Sequence, residues 1–423
     1  MMKKNILIIT ICLAVNLSFI SGQTNLTIEG TVVNNSATGS WSGVEIQRNV
    51  PTTFIYRNNS VTSVNGSGYM LQAGDEIETG TNNNLDGEVI SGNKFIWNGS
   101  DVNSITHGIF TGHNKNAVIK YNYLDKVPMG IIRKSTNGMT NTSGGVAYNI
   151  VKNPVATGGV VKGMNNVNYF NNTFYSNISG TWRGLIDIYS NTDVSPSPAS
   201  TGTKIKNNIF YTVNQIYNIA ILDAACLPGF ESDYNVFYCE SGTPVFNYLG
   251  SSKTFAQWQA LGFDKHSVVK DPAFNNTIDL VPSMRLDFGT DLGTAWQTGL
   301  SISATWTPGS APGTANQNGN WQVGARIYGS EIIPVTPTKV EMTIYPNPAH
   351  QIINILLDNG TQDPELFSRV IRVFDISGKI FLEKVIDATS TNLQFTLNLK
   401  PGMYAVILFA DDMAVATQNM IVY

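Results

Sequence analysis

Five short apolar strands in the middle of the chain begin with Gly or Asn, and their fourth residues form one column when the strands are aligned on that first residue. The first residues are Gly108, Gly130, Gly159, Gly184 and Asn218. The column contains Thr111, Arg133, Lys162, Asp187 and Ile221. Side-chain alternation along a strand predicts that the column faces outward. It also predicts that the preceding residues face inward, namely Phe110, Ile132, Val161 and Ile186.

Cations are concentrated around this column, because Lys134 and Arg183 lie next to it in a chain of which only 13% is charged. A lyase that cleaves a uronic-acid glycoside by elimination must neutralise the substrate carboxylate and remove the neighbouring C–H proton. Arg binds a carboxylate bidentately, and Lys among other cations can act as a base. The column therefore predicts Arg133 or Arg183 as carboxylate ligand and Lys162 or Lys134 as base, with Asp187 orienting one of them.

Two other functions fit the same region. A glycoside hydrolase needs two carboxylates about 5 to 9 Å apart. The candidates are Asp187, Asp193, Asp223 and Asp233, of which only Asp187 falls in the column. A carbohydrate-binding or surface structural protein would need no catalytic geometry, and would stack Trp182, Tyr189 or Tyr217 on sugar faces. A solvated sheet face with no ligand is the structural alternative to all three functions.

Metal chemistry has weaker support in the sequence. Calcium binds several oxygens at once, and Asp187, Asn191 and Asp193 are close in sequence but form no tight acidic loop. His107 and His113 are too weak a pattern to predict zinc, and we place His113 with the residues that would bind substrate. No cofactor is therefore predicted, and calcium is the one metal left open.

The element that must position these side chains is a repeat of asparagine, any residue, and an apolar residue. Its asparagines are spaced 29, 27, 23, 36 and 27 residues apart, a range typical of stacked supersecondary units. They are Asn93, Asn122, Asn149, Asn172, Asn208 and Asn235. Because strands in adjacent units lie about 4.8 Å apart, the amides should form a hydrogen-bonded ladder.

Two long turns leave this repeat, and loops of that kind usually line the binding face of a solenoid. One is the insertion 191–204, and the other is 135–143, which could form the opposite wall. After the repeat, 253–262 is the only persuasive helix, with Phe255, Trp258 and Leu261 on one face. The segment from there to Ala325 is predicted to be structural.

The start of the chain has the pattern of an export signal. Two lysines precede the apolar stretch 6–20 and a small-residue exit, so cleavage is expected before Gln23. No later stretch is long and apolar enough to span a bilayer. Cys12 would leave with the signal, and Cys226 and Cys239 would either pair or remain two buried thiols. The net charge of -4 argues against nucleic acid as a partner, and a monomer is expected.

The Asn-x-apolar repeat resembles the right-handed parallel β-helix proteins, a family that includes pectate lyases, chondroitinase-like lyases and polygalacturonases. The segment that ends at 321–325 looks like the closing segment of Bacteroidetes β-helix proteins. The pectate lyase signatures and the paired aspartates of polygalacturonases are missing, so no catalytic residue is transferred from the family. The resemblance therefore implies a fold more firmly than an activity. With the cations of the column, it leads us to expect a protein that acts on or binds an acidic polysaccharide, with a lyase as the leading hypothesis.

Three motifs near the C-terminus, at 344–349, 373–379 and 399–404, resemble the type A sorting domain of the type IX secretion system. That resemblance implies a small β-sandwich, the secretion machinery as a partner, and a protein that is secreted or attached to the cell surface. The predicted fold is all-β, a right-handed parallel β-helix followed by this sandwich. The predicted boundaries are a signal peptide at 1–22, the β-helix at 23–330, a linker at 331–339 and the sorting domain at 340–423.

Overall fold

The computed structural model describes residues 8–9, 15–16, 25–36, 40–46, 53–74, 85–101, 104–179, 183–329, 331–332, 341–358, 369–375, 379–386, 390–410 and 413–423. The chain divides into two units, Met1–Pro334 and Val335–Tyr423. Along the first unit, short β-branched and aromatic segments alternate with turns, which is the composition that favours strands. These strands pair in parallel with their equivalents in the preceding and following coils, and so form three long sheets that we call A, B and C.

Sheet A has ten strands: Ile8–Ile9, Val32–Asn35, Ser60–Ser63, Lys94–Trp97, Tyr123–Asp125, Ile150–Lys152, Thr173–Ser176, Ile209–Thr212, Val236–Cys239 and Val268–Val269. Sheet B also has ten: Val15–Asn16, Ser40–Ile46, Ser67–Ala73, His107–Gly112, Met129–Lys134, Thr157–Lys162, Gly184–Tyr189, Tyr217–Ile221, Val245–Tyr248 and Ser251–Thr254. Sheet C has eight: Asn25–Glu29, Thr53–Arg57, Val89–Ser91, Val118–Lys120, Gly145–Ala147, Asn168–Phe170, Lys204–Lys206 and Glu231–Asp233. Each coil runs from C to A to B, so the predicted parallel β-helix is confirmed.

The predicted asparagine ladder is present at the corner between sheets C and A. The Nδ2 atom of each asparagine donates to the Oδ1 atom of the next, over 2.9–3.0 Å from Asn59 to Asn235. The residue before each ladder asparagine has a positive φ, for example Tyr121 at 61° and Asn207 at 59°. This left-handed residue turns the chain, and the amide that follows satisfies backbone groups that the corner would otherwise leave unpaired.

The apolar residue of each repeat lies inside the coil. Phe174, Phe210 and Phe237 stack on one another with centroids 5.1 Å apart, and all three are fully buried. Burying one such side chain stabilises the fold by about 1.5–3 kcal/mol. The same three-residue motif therefore contributes an asparagine to the ladder and an apolar side chain to the core.

The far end of the β-helix is closed by a hairpin and a helix. Strand Ser251–Thr254 pairs antiparallel with Val245–Tyr248, and helix Phe255–Ala260 follows, with Thr254 forming a capping box with Gln257. Trp258 is buried and donates to Asp264, which also accepts from Asn235 at the end of the ladder. The helix is shorter than the predicted 253–262, and Leu261 is 41% exposed rather than packed on the buried face.

A segment that we call the strap, residues 271–332, returns along the outside of the corner between sheets C and A. Its strands are Thr298–Ser301, Thr314–Asn316, Arg326–Ile327 and Glu331–Ile332, with a 3-10 turn at Thr294–Trp296. Asn171 donates to Gln322, Tyr121 to Thr298, and Gly309 to the carbonyl of Asn58. The strap thus contacts coils that are far apart along the stack.

The remaining elements are few. A two-stranded sheet pairs Leu85–Asp86 with Asn114–Lys115, and a 3-10 turn spans Ala224–Cys226. Cys226 and Cys239 are both buried free thiols rather than a disulfide. Among the residues described, no helix has the length and apolar character needed to cross a membrane.

The second unit consists of two antiparallel sheets. One contains Glu341–Tyr345, Ile352–Asp358 and Asn392–Thr396, and the other contains Arg369–Asp375, Ile380–Ile386, Gly402–Ala410 and Met413–Val422. Residues of both sheets, such as Ile353, Ile355, Ile371 and Val406, pack in one buried cluster. The unit is therefore a small β-sandwich.

Candidate functional site

The register of sheet B differs from the predicted column, by one residue between the strands of Arg133 and Lys162 and by two residues between those of Lys162 and Asp187. Ile131 pairs with Gly159, so that Thr111 lies beside Arg133, and Arg133 lies beside Val161. Lys162 lies beside Lys134 instead. Because side chains alternate, a slip of one residue moves a side chain to the opposite face of the sheet. The predicted column therefore mixes residues from the inside and the outside of the coil.

The residues on both faces of sheet B therefore differ from those predicted. Phe110 and Ile132, which we expected inside, pack with Val160 and Met129 in a cluster separate from the main core, on the outer face. Val161 and Ile186 belong to the main core, as predicted. The outer face therefore presents an apolar row beside a polar row.

Arg133 lies inside the coil and is 1% exposed. Its guanidinium donates to Thr111 Oγ1 at 2.9 Å, to the carbonyl of Asn114 at 2.8 Å and to Asn141 Oδ1 at 2.9 Å. Burial lowers the pKa of Arg133 to about 10, although the nearby Glu88 opposes that change. The structure thus corrects the predicted outward position of Arg133, because the guanidinium is used to satisfy interior polar groups.

Two more polar residues share this interior region. Glu88 is fully buried, and burial raises its pKa to about 8 in spite of the charge of Arg133. His113, which we had placed on the substrate-binding surface, is also fully buried, with Nε2 3.1 Å from Thr136 Oγ1. No signal in the sequence marks Glu88, because it follows Asp86 and Gly87 in what resembles a simple turn. Its closeness to Arg133 depends on the stacking of coils.

A group that we call the lysine pair, Lys134 and Lys162, occupies the polar row on the outside of sheet B. Both ammonium groups contact Asp193, at 2.7 Å from Lys134 and 2.8 Å from Lys162. The side chain of Lys134 is 3% exposed, that of Lys162 is 17% exposed and that of Asp193 is 34% exposed. Burial alone would raise the pKa of Asp193, but the hydrogen bonds and charges of the lysine pair outweigh it and lower that pKa.

Tyr189 continues the polar row, since it is the strand partner of Lys162 and its ring centroid is 5.8 Å from Lys162 Nζ. Asp187 lies two residues earlier on the same face, is fully buried, and accepts from Arg183 at 3.1 Å and from the backbone of Gly184 at 2.7 Å. Burial raises the pKa of Asp187 to about 6, against the influence of Gly184 and Arg183. Trp182 lies outside the described residues.

The two long turns do not form opposite walls, because both leave the β-helix at the corner between sheets B and C. Asn191 donates to the carbonyl of Ser135 at 2.8 Å, and Asn165 joins the two turns by contacts to Gly138 and Thr201. The loop around 191–204 nevertheless brings Asp193 onto the lysine pair. From the sequence, Asp193 was a candidate for hydrolase chemistry and for calcium, and its contact with the lysine pair was not expected.

The other predicted carboxylates have local contacts. Asp223 caps a 3-10 turn and accepts from Ser190, and Asp233 accepts from His266 at 2.7 Å. Further along the outer face of sheet B, Tyr69 stacks on His107 at 4.9 Å, and Phe110 packs edge-on against both. Across the described ranges, no group of three His, Cys, Asp or Glu side chains could hold a metal ion.

Comparison with known proteins assigns the second unit. A family model described as the secretion system C-terminal sorting domain matches residues 343–423. No curated protein and no solved structure matches the chain. Residues 343–423 are therefore a type IX secretion sorting domain, and the protein is secreted or attached to the cell surface by that system.

Proposed function

We propose that the β-helix binds an acidic polysaccharide outside the cell, on the outer face of sheet B. The observation that supports this proposal is the convergence of two lysines from adjacent coils on a single carboxylate, next to Arg183 and Tyr189. Uronate carboxylates are the matching groups on an acidic polysaccharide. Secretion places the protein where such polymers occur.

Charge repulsion supports a binding role for the lysine pair. Lys134 and Lys162 are direct strand partners, and like charges in that position destabilise a sheet. An anion that contacts both ammonium groups removes the repulsion and gains two charge-assisted hydrogen bonds. Asp193 supplies this anion within the chain, and a bound uronate offers the same group.

Aromatic side chains on the same face provide the second kind of contact that a sugar needs. Tyr189 lies beside Lys162, while Tyr69, His107 and Phe110 form a packed aromatic group further along sheet B. Aromatic rings combine a large apolar surface with defined geometry. They can pack against the C–H faces of sugar rings while the cations bind carboxylates.

Cleavage by β-elimination is the second candidate, because the convergence on Asp193 shows two cations able to neutralise a carboxylate. In this reaction, Lys134 would neutralise the uronate, and Lys162 as a neutral amine would take the adjacent C–H proton and become an ammonium. The electron pair of that bond forms the new double bond, the glycosidic C–O bond breaks, and Tyr189 would protonate the leaving oxygen. Asp187 would orient Arg183, whereas Arg133 has no part.

Replacing Lys162 with alanine is expected to weaken polysaccharide binding about tenfold while leaving thermal melting nearly unchanged. A charge-assisted hydrogen bond contributes about 1.5–3 kcal/mol, whereas an ion pair near the surface adds little stability. Calorimetric titration of the purified protein with alginate, pectin, ulvan and glycosaminoglycans measures the affinity. The absorbance of the unsaturated product in the same samples tests for elimination.

Lys204→Ala is the matched control, because Lys204 is paired with Glu231 on the outside of sheet C. It should bind as the wild type does. Failure of the wild-type protein to bind any of these polymers would overturn the proposal, and equal losses in both variants would show that the site is not at the lysine pair. If the wild-type protein forms the unsaturated product and Lys162→Ala does not, Lys162 takes part in catalysis as well as in binding.

Affinity for a polyuronate should increase about twofold as the pH falls from 7 to 5. Asp187, with a pKa of about 6, loses its charge over this range, and a unit charge at roughly 8 Å in water is worth about 0.5 kcal/mol. Arg183, Tyr189 and Lys162 would then present a more positive surface, while uronates remain ionised. Asp187→Asn should remove the pH dependence, and titrations at both pH values test this. An equal pH dependence in this variant would show that Asp187 is not the group responsible.

A further inference from the structure

We propose that Asp193 occupies the position of a ligand carboxylate, and that a bound acidic polysaccharide displaces it from the lysine pair. This inference rests on the proposed function and adds a competing group within the chain. The site would therefore exist in two states, one closed by the Asp193 carboxylate and one occupied by the ligand.

The contacts of the Asp193 carboxylate resemble those that a bound ligand carboxylate would make. Both carboxylate oxygens accept from Lys162 at 2.8 Å, and Oδ2 also contacts Lys134 at 2.7 Å. Lys134 is almost completely buried, so its charge must be compensated by an anion that comes to it. Asp193 is the most exposed member of this group, and a carboxylate at that position can leave toward solvent.

The loop that carries Asp193 is fixed at its ends and exposed at its tip. Asn191 bonds to Ser135 and Pro198, and Ser200 bonds to the carbonyls of Val161 and Tyr189. Asn191 and Ser200 are buried, whereas Thr192 and Asp193 are exposed. The backbone N–H of Asp193 also donates to Asn191 Oδ1 at 3.1 Å. Movement of the tip therefore breaks this one bond and leaves the contacts of Asn191 with Ser135 and Pro198 in place.

Displacement of Asp193 by a ligand has a measurable effect on the affinity for that ligand. If the closed state dominates, the apparent affinity of a ligand is reduced by the fraction of molecules in the open state. A substitution that removes the charge of Asp193 but keeps the size of its side chain should restore the full affinity. Asp193→Asn is therefore expected to bind an acidic polysaccharide at least fivefold more tightly than the wild-type protein.

The control must separate this effect from a simple gain of positive charge. Glu231 also bridges two lysines, Lys204 at 3.0 Å and Lys206 at 2.7 Å, but on the outside of sheet C. Glu231→Gln changes the net charge by the same amount and releases two lysines elsewhere. Asn191→Ala is a second test variant, because it loosens the loop and keeps the carboxylate.

The experiment titrates alginate, polygalacturonate and chondroitin sulfate, with neutral dextran for comparison, into the full chain of each variant. Hydrogen exchange of loop 190–203 is followed in parallel. We expect tighter binding by Asp193→Asn and Asn191→Ala, unchanged binding by Glu231→Gln, and faster loop exchange when the wild-type protein binds ligand.

The possible failures are distinguishable. Wild-type binding that Asp193→Asn leaves equal or weakens would overturn the displacement and leave the proposed function intact. Equal tightening by Asp193→Asn and Glu231→Gln would also overturn it, because the gain would come from charge alone. If neither the wild-type protein nor Asp193→Asn binds any of the acidic polymers, the proposed function fails as well.

Discussion

Replacing Arg133 with alanine is expected to lower the free energy of unfolding of the β-helix by about 3–5 kcal/mol, because each buried polar group left without a partner costs about 1–3 kcal/mol. The guanidinium donates to Thr111, Asn114 and Asn141 in the interior. Without it, these three buried acceptors would lose a charged hydrogen-bond donor. Chemical denaturation followed by circular dichroism measures the change.

Lys162→Ala is the comparison for this variant, since Lys162 is the outward-facing lysine of the next coil. It should lose ligand affinity with little change in stability, whereas Arg133→Ala should lose stability. If Arg133→Ala unfolds at the wild-type denaturant concentration and fails to bind polysaccharide, Arg133 belongs to the binding site, and our placement of it inside the coil is wrong.

Replacing Asn149 with alanine should cost about 3–5 kcal/mol, because this residue is in the middle of the asparagine ladder. Its Nδ2 donates to Asn172, Ile119 and Ala147, and its Oδ1 accepts from the backbone and the side chain of Asn122. Each buried group left without a partner costs about 1–3 kcal/mol. The midpoint of thermal or urea unfolding measures the loss.

Asn214→Ala is the matched control, since the Asn214 side chain makes a hydrogen bond to Asn177 near the surface. Its effect should stay below about 1 kcal/mol. Equal destabilisation by the two variants would mean that the ladder adds no more than an ordinary surface hydrogen bond.

The β-helix could be predicted from sequence because the ladder and the core depend on the same short sequence motif. An asparagine at each corner must satisfy backbone groups, and the apolar residue two positions later must be buried. Asn172 and Phe174, or Asn208 and Phe210, show both requirements in three residues. Such a strict local constraint recurs at every coil and is visible in the sequence.

The faces of sheet B could not be predicted in the same way. Gly158 and Gly159 offer two alignments that differ by one residue, and no local property of the strand separates them. The register depends on how many residues each coil uses to turn from sheet A to sheet B. That length varies between coils, and so Arg133 and Lys162 were placed on one face although they lie on opposite faces.

The contact of Asp193 with the lysine pair was also beyond sequence analysis. Asp193 is 31 residues from Lys162 along the chain, and it reaches the site only because the loop folds back against Ser135. The sequence showed that a long loop leaves the coil there. It did not show which side chain the loop would return to the sheet.

The strap alters how the stack of coils can come apart. In an open array of repeats, the terminal units can fray one at a time, because each contacts only its neighbours. Here the strap joins Asn58 near one end to Asn171 and Asn207 further along. Loosening the coil of Asn58 therefore also breaks bonds to a segment that other coils hold, which makes unfolding more cooperative.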